Sequence, residues 1–236
     1  MSEIIRANTV LPARRTPFTL QTADGLVLVG EIATPLREFN GAILCLHPNP
    51  TGGGMMDSHI YRKAANRLPQ LAGIAVVRFN TRGTSSDAGR SQGEFDNGVS
   101  EKLDVEAALN YCFDELHLTN LWVVGWSFGT DLALHYAKDS RHMGLILLSP
   151  PLKNSSFEQL TYWNSDLRPI VALIPEFDDF LKPREAAEKF GVIPHIELIP
   201  VAGAKHLWIG EPSVYRVLTE IVSRVAPDKL PLPLEY

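Results

Sequence analysis

Ser127 lies in Gly125-Trp126-Ser127-Phe128-Gly129, a Gly-x-Ser-x-Gly pattern between an apolar run at 121–124 and a helix-forming stretch at 130–138. That setting predicts a serine on a tight strand-to-helix turn, its hydroxyl held clear of neighbouring side chains. Glycine is needed on both sides because a Cβ there would collide with the adjoining strand or helix. A serine hydroxyl is a poor nucleophile at neutral pH. It needs a base to take its proton and an acidic residue to orient that base. Downstream, the apolar run 170–174 ends in Pro175-Glu176-Phe177-Asp178-Asp179, and the run 195–199 leads through 200–205 to His206. A carboxylate and an imidazole at the carboxyl ends of successive strands would complete such a relay. The chemistry would be acyl transfer through a covalent intermediate, with either Asp178 or Asp179 as the carboxylate.

The elements that must position these groups are legible as an alternation. Residues 16–21 and 26–34 flank Asp24-Gly25, a tight-hairpin signal. The apolar strand 41–46 ends in His47-Pro48-Asn49-Pro50 and the glycines Gly52, Gly53 and Gly54. A helix is predicted over 61–71, a strand over 74–79, and a polar Gly- and Ser-rich loop over 80–98. Residues 100–116 show helical periodicity, with Leu103, Ala107, Leu109 and Tyr111 among the apolar positions. Strands recur at 121–124, 144–148, 170–174 and 195–199, before a last helix at 212–225. Strands alternating with helices after an N-terminal antiparallel hairpin predict an α/β fold, a mostly parallel central sheet with helices on both faces. Only about twenty residues lie between 150 and 169, room for a loop and a short helix but no large lid.

With 236 residues, 45% of them hydrophobic, the chain suits a single domain over 1–236 with a closed core. A net charge of −5 without a basic cluster argues against nucleic acid and anionic membrane surfaces. The longest apolar runs are strand-length, and residues 1–15 are polar and mixed, so a cytoplasmic protein is expected. Cys45 and Cys112 read as two separate core thiols. No metal is expected, because no His, Cys or Asp cluster has ligand spacing; His135 and His142 read as helix surface. The glycines at 52–54 lack a following Lys-Ser/Thr and suggest a flexible loop bordering the site rather than a phosphate cradle. Arg82 with Glu101 and Asp104 reads as an ion pair joining the long loop to the next helix.

Several segments together carry a family likeness: His47-Pro48-Asn49-Pro50, Gly53-Gly54-Met55-Met56 and Arg78-Phe79-Asn80-Thr81-Arg82-Gly83, then Gly93-Glu94-Phe95-Asp96-Asn97-Gly98. With the Ser127 pentapeptide, Asp178-Asp179 and Lys205-His206, the chain resembles the α/β-hydrolase superfamily, in particular small lidless bacterial serine hydrolases. The resemblance runs from about residue 41 to 208. It implies the α/β-hydrolase fold, with Ser127 as nucleophile, His206 as general base and then acid, and Asp178 as orienting carboxylate. Pro175 stands where such loops usually carry glycine, and Asp179 stays as the alternative. An oxyanion hole of backbone amides is implied, from Phe128 and from Asn49, since Pro48 and Pro50 have no N–H to give. Met55, Met56, Trp163, Leu207 and Trp208 are candidates for an apolar acyl pocket, plain packing being the alternative. No cofactor is implied. The expected reaction is hydrolysis of a small-molecule carboxylic ester. Amide or acyl-peptide hydrolysis by the same triad, and non-catalytic ligand binding on the same fold, are the alternatives.

Overall fold

Arg14–Gln21 (β1) and Val27–Thr34 (β2) pair antiparallel across a turn in which Gly25 takes φ 84°. Thr22 closes that turn, its amide donating to the Leu26 carbonyl and its hydroxyl to Asp24. The computed structural model describes residues 3–39 and 41–236. The strands that follow are Gly41–Leu46 (β3) and Ile74–Phe79 (β4), the short pair Ser85–Ser86 (β5) and Gly89–Arg90 (β6), then Leu121–Trp126 (β7), Gly144–Leu148 (β8), Ile170–Phe177 (β9) and Glu197–Lys205 (β10). Among the described residues, eight of them form one sheet in the order β1-β2-β4-β3-β7-β8-β9-β10. Pairing is antiparallel from β1 through β2 to β4 and parallel from there to β10.

β3, β4, β7 and β8 are buried at every position, which is why they read as apolar runs, interrupted by a charge only at Arg78 of β4, which is paired with Glu31 and Asp57. Alternate residues of one strand face opposite sides. Leu44, Val77, Val123 and Leu147 pack on one face, under Glu101–Asn110 (α2), Phe128–Tyr136 (α3), Phe157–Ser165 (α4) and Pro183–Phe190 (α5). Ile43, Val76, Val124 and Ile146 pack on the other, under His59–Ala72 (α1) and Glu211–Val225 (α6). Cys45 belongs to the second core and Cys112 to the first, both as buried free thiols. The crossover from β8 to β9 carries α4 alone, so no large lid is present there. No helix among the described residues is long and apolar enough to cross a membrane.

Three elements differ from the sequence-based expectation. β10 begins after His195 and runs to Lys205, with a register irregularity between Val201 and Lys205. Pro200 sits inside it because β10 is the edge of the sheet and needs no donor on its outer side. α5 is short and starts on Lys182-Pro183, and the periodicity of 100–116 divides into α2 and a π-turn, Tyr111–Glu115. His135 and His142 lie inside the molecule, 8% and 1% exposed: α3, which carries His135, is covered along nearly its whole length, and His142, in the turn ahead of β8, is enclosed by the Ala137 carbonyl, Arg168 and Trp163. Burial pushes both imidazoles down to about 4.

Arg82 ties the long loop to the rest. Its Nε and Nη2 donate to Asp104 Oδ1 at 3.0 and 2.8 Å, its amide to Asp104 Oδ2 at 2.8 Å, and its Nη1 to Asp24 at 3.0 Å. Glu101 does not join this pair; it accepts the amides of Asp96 and Gly98 and closes the loop's far end. Removing one partner of a buried pair leaves the other charge uncompensated, at a cost of about 3–5 kcal/mol. Asp104→Ala should therefore lower the unfolding free energy by about that amount in urea titration. A loss within experimental error would show that the hairpin, loop and α2 do not depend on it.

Candidate active site

Ser127 joins β7 to α3 with φ 52° and ψ −121°, a conformation that side chains rarely adopt. Its amide donates to the Leu148 carbonyl at 2.9 Å, and the Thr130 amide and hydroxyl donate to its own carbonyl at 2.8 and 2.6 Å. The two glycines are required by contact. A Cβ on Gly125 would lie 2.5 Å from the Gly129 carbonyl oxygen, and one on Gly129 would lie 2.0 Å from that of Leu46. The first turn of α3 thus rests directly on the end of β3.

Asp178 follows β9 and is 3% exposed. Its Oδ1 accepts the amides of Phe180 and Leu181 at 2.8 and 3.2 Å, and its Oδ2 lies 2.9 Å from His206 Nδ1. Burial alone would raise this carboxyl's pKa. The bond from His206 and the two amides outweigh burial and hold it below its ordinary value. Because a carboxylate only accepts, Nδ1 carries the proton and Nε2 is left to accept from Ser127 Oγ, 2.8 Å away. Asp179 is exposed. The geometry therefore brings Asp178, not its neighbour, to the imidazole.

His206, directly after β10, is fastened by its backbone as well as by its ring. Its carbonyl accepts Trp126 Nε1 at 3.2 Å and the Ser149 hydroxyl at 3.1 Å. The Glu176 carboxylate accepts the Gly203 amide at 2.8 Å, linking the end of β9, ahead of Asp178, to β10, ahead of His206. Phe180 packs against the imidazole with ring centroids 4.5 Å apart. None of these supports was among the sequence candidates. Trp126 lay in view as the residue before the nucleophile, and Glu176 and Phe180 flank the two aspartates in the loop the resemblance points to; Ser149 carried no local signal.

The loop after β3 is shaped by His47, which is fully buried. Its Nδ1 donates to the Pro48 carbonyl at 2.7 Å and its Nε2 accepts the Thr81 amide at 3.1 Å. Burial drives this imidazole down to about 4, so it is neutral. The glycine run is a closed turn rather than a loose loop: Gly52 and Gly54 both donate to the Asn49 carbonyl, and a Cβ on Gly54 would lie 2.1 Å from the Pro48 oxygen. Asn49, Ser127 and Phe128 line one cleft of about 200 Å³. As the first residue of α3, Phe128 has no intrahelical acceptor for its amide. Larger cavities of about 410 and 340 Å³ lie away from these residues.

The five residues expected to form an acyl pocket do not line that cleft. Met56, Trp163 and Trp208 are at most 2% exposed and belong to the interior. Trp163 donates to the Leu134 carbonyl beneath α4, Trp208 packs in the core under α1 and α6, and the Met56 amide donates to Asn80 Oδ1. Met55 is half-buried, and Leu207 is 51% exposed with its carbonyl bonded to His59. The two cores claimed most of the large apolar side chains. The cleft walls come instead from Phe95, Asn97, Pro151, Lys153, Asn154 and Phe180.

The sequence profile of the alpha/beta hydrolase fold matches residues 41–201. Among solved structures, an alpha-beta serine hydrolase homologue from Coxiella burnetii is 26% identical, with a TM-score of 0.75 over 89% of this chain and 97% of that one. A serine hydrolase without lid from Xanthomonas campestris is 24% identical, with a TM-score of 0.72 over 92% and 97%. An esterase from Pyrococcus furiosus is 20% identical, with a TM-score of 0.73 over 90% and 93%. The last two likenesses are of fold alone. An uncharacterized protein of Rickettsia prowazekii is 34% identical over 111 residues, 46% of this chain, and the match spans less than half, 44%, of that relative's length.

The buried His47 makes stability depend on pH. Its folded pKa of about 4 lies below the ordinary 6.5, so the unfolded chain binds the proton more readily between those values. The stability is present above pH 6.5 and is lost as the pH falls toward 4. His135 and His142 act with the same sign, whereas Asp131, raised by burial to about 6, opposes them. In denaturant titrations at steps from pH 7 to 4, His47→Gln should show a shallower fall than the wild type. Equal slopes would mean that the ring does not gain its proton only on unfolding.

Proposed function

The chain belongs to the alpha/beta hydrolase fold family, and we propose that it is a serine hydrolase cleaving small carboxylic esters through an acyl-enzyme. The observation that carries this reading is the unbroken line of hydrogen bonds from Asp178 through His206 to Ser127, at 2.9 and 2.8 Å. Ser127 Oγ attacks the ester carbonyl carbon while its proton passes to His206 Nε2. The carbonyl oxygen, now negative, receives the amides of Phe128 and Asn49. Each such donor is worth about 3–4 kcal/mol at the transition state. Collapse breaks the carbon–oxygen bond to the alcohol, and His206 hands the proton to the departing oxygen. Water then attacks the acyl-enzyme, gives a proton to Nε2, and Ser127 leaves with that proton as the acid is released. Asp178 stays ionised throughout and stabilises the imidazolium. An open site without a large lid suits small esters, and the fold neighbour from Pyrococcus furiosus is an esterase.

A fluorophosphonate should label the wild-type protein covalently and fail to label Ser127→Ala, which should also lose turnover of activated short-chain esters. Asp178→Asn should lower kcat by about 10³-fold or more, by analogy with the same change in a serine protease. Asp179→Asn should stay close to wild type. Persistent labelling of Ser127→Ala would refute the nucleophile. Collapse in Asp179→Asn with near-normal turnover in Asp178→Asn would reverse the carboxylates.

A further inference from the structure

Among the described residues lining the cleft at Ser127, Lys153 is the one cation and Asp131 the one anion. The two are not equivalent. Asp131 is 2% exposed, and its carboxylate is met by the Ser155 hydroxyl at 2.6 Å and by the backbone of Lys153 and Asn154. It lies on the same helix as the turn that presents Ser127, so one rigid element carries both the nucleophile and the anchor of the 153–155 loop. The Lys153 ammonium, by contrast, is exposed and makes no ion pair among the described residues, although its charge favours the ionised form of Asp131. It lies 4.1 Å from the centroid of the Phe180 ring, the ring that packs on His206. A cation over an aromatic face is held by the ring's quadrupole while its remaining N–H donors stay available.

The rest of the wall is polar as well. Asn49, Asn97 and Asn154 contribute, and Phe95, Phe128 and Pro151 supply the apolar part. At about 200 Å³ the cleft takes a short substrate. That is below the roughly 300–1,000 Å³ of sites for drug-sized ligands.

Resting on the serine-hydrolase reading above, we propose that the substrates are short esters carrying a carboxylate a few atoms from the scissile carbonyl, and that Lys153 pairs with that carboxylate. The residue is a specificity determinant: it takes no part in proton transfer and selects what reaches Ser127. The carboxylate can belong to the acyl half or the alcohol half of the ester, and the two are separable by experiment.

The test is kcat/KM of the full chain on two matched pairs. Methyl hydrogen succinate against methyl levulinate places the charge on the acyl side. Carboxymethyl butyrate against acetonyl butyrate places it on the alcohol side. Within each pair a carboxylate oxygen is exchanged for a methyl group. The wild type should favour one anionic member by about three- to tenfold, between the worth of an exposed ion pair and that of a charge-assisted hydrogen bond. Lys153→Met should bring that ratio to about one, Lys153→Glu should invert it, and added salt should narrow it in the wild type. The favoured pair identifies the half that carries the charge. Equal or reversed preference in both pairs, or a ratio that survives Lys153→Met, overturns the substrate class. So does fluorophosphonate labelling of Ser127 without turnover of either anionic ester. Absence of both labelling and turnover of all four esters would instead sink the serine-hydrolase reading itself.

Discussion

The catalytic end of this molecule depends on how closely the first turn of α3 lies against the end of β3. Gly129 has no room for a side chain because the Leu46 carbonyl occupies that space, and Gly125 is closed in by Gly129 in turn. That approach leaves the chain between β7 and α3 no relaxed way round, and Ser127 takes up the difference in a positive φ. Backbone strain of this kind costs about 1–3 kcal/mol and persists only where the surroundings over-determine it. Here Leu148 and Thr130 hold the residue from both sides. The same approach brings Phe128 and Asn49 to one cleft, so nucleophile and candidate oxyanion donors depend on one contact between α3 and the end of β3.

The other half of the site is built at the β10 margin of the sheet. Asp178 and His206 follow β9 and β10, and β8 stands between them and the strand of Ser127. The distance is bridged through the backbone of His206, whose carbonyl is gripped from β7 by Trp126 and from the end of β8 by Ser149. Electrostatic assistance is effective when the groups are in place before the reaction begins. Burying both carboxylate and imidazole, with the carboxylate's second oxygen filled by two amides, is how this chain achieves that.

What could be read in advance follows from the same physics. Strands buried on both faces announce themselves as apolar runs, so the parallel centre of the sheet was legible, and the glycines around Ser127 marked a turn that only they permit. The edge was harder. β10 mixes exposed and buried positions around Pro200 and Gly203, and its periodicity did not reveal that it reaches Lys205. Asp178 and Asp179 are the same residue type in adjacent places; the family resemblance favoured the first, and the turn through Phe180 and Leu181 is what buries it against His206. The cleft walls were the least legible, because Phe95, Pro151 and Phe180 meet from separate loops. Trp163 and Trp208, conspicuous in the sequence, belong to packing.

The link between Glu176 and Gly203 has a consequence for how the site is held together. β10 is bonded to the sheet along one side only, so cross-links at its end take the place of a second neighbouring strand. By clasping it to the segment that bears the carboxylate, Glu176 makes the two relay arms travel together. Together with the grip of Trp126 and Ser149 on the His206 carbonyl, this clasp ties the acid and base arms to one another as well as to the strand that carries the serine.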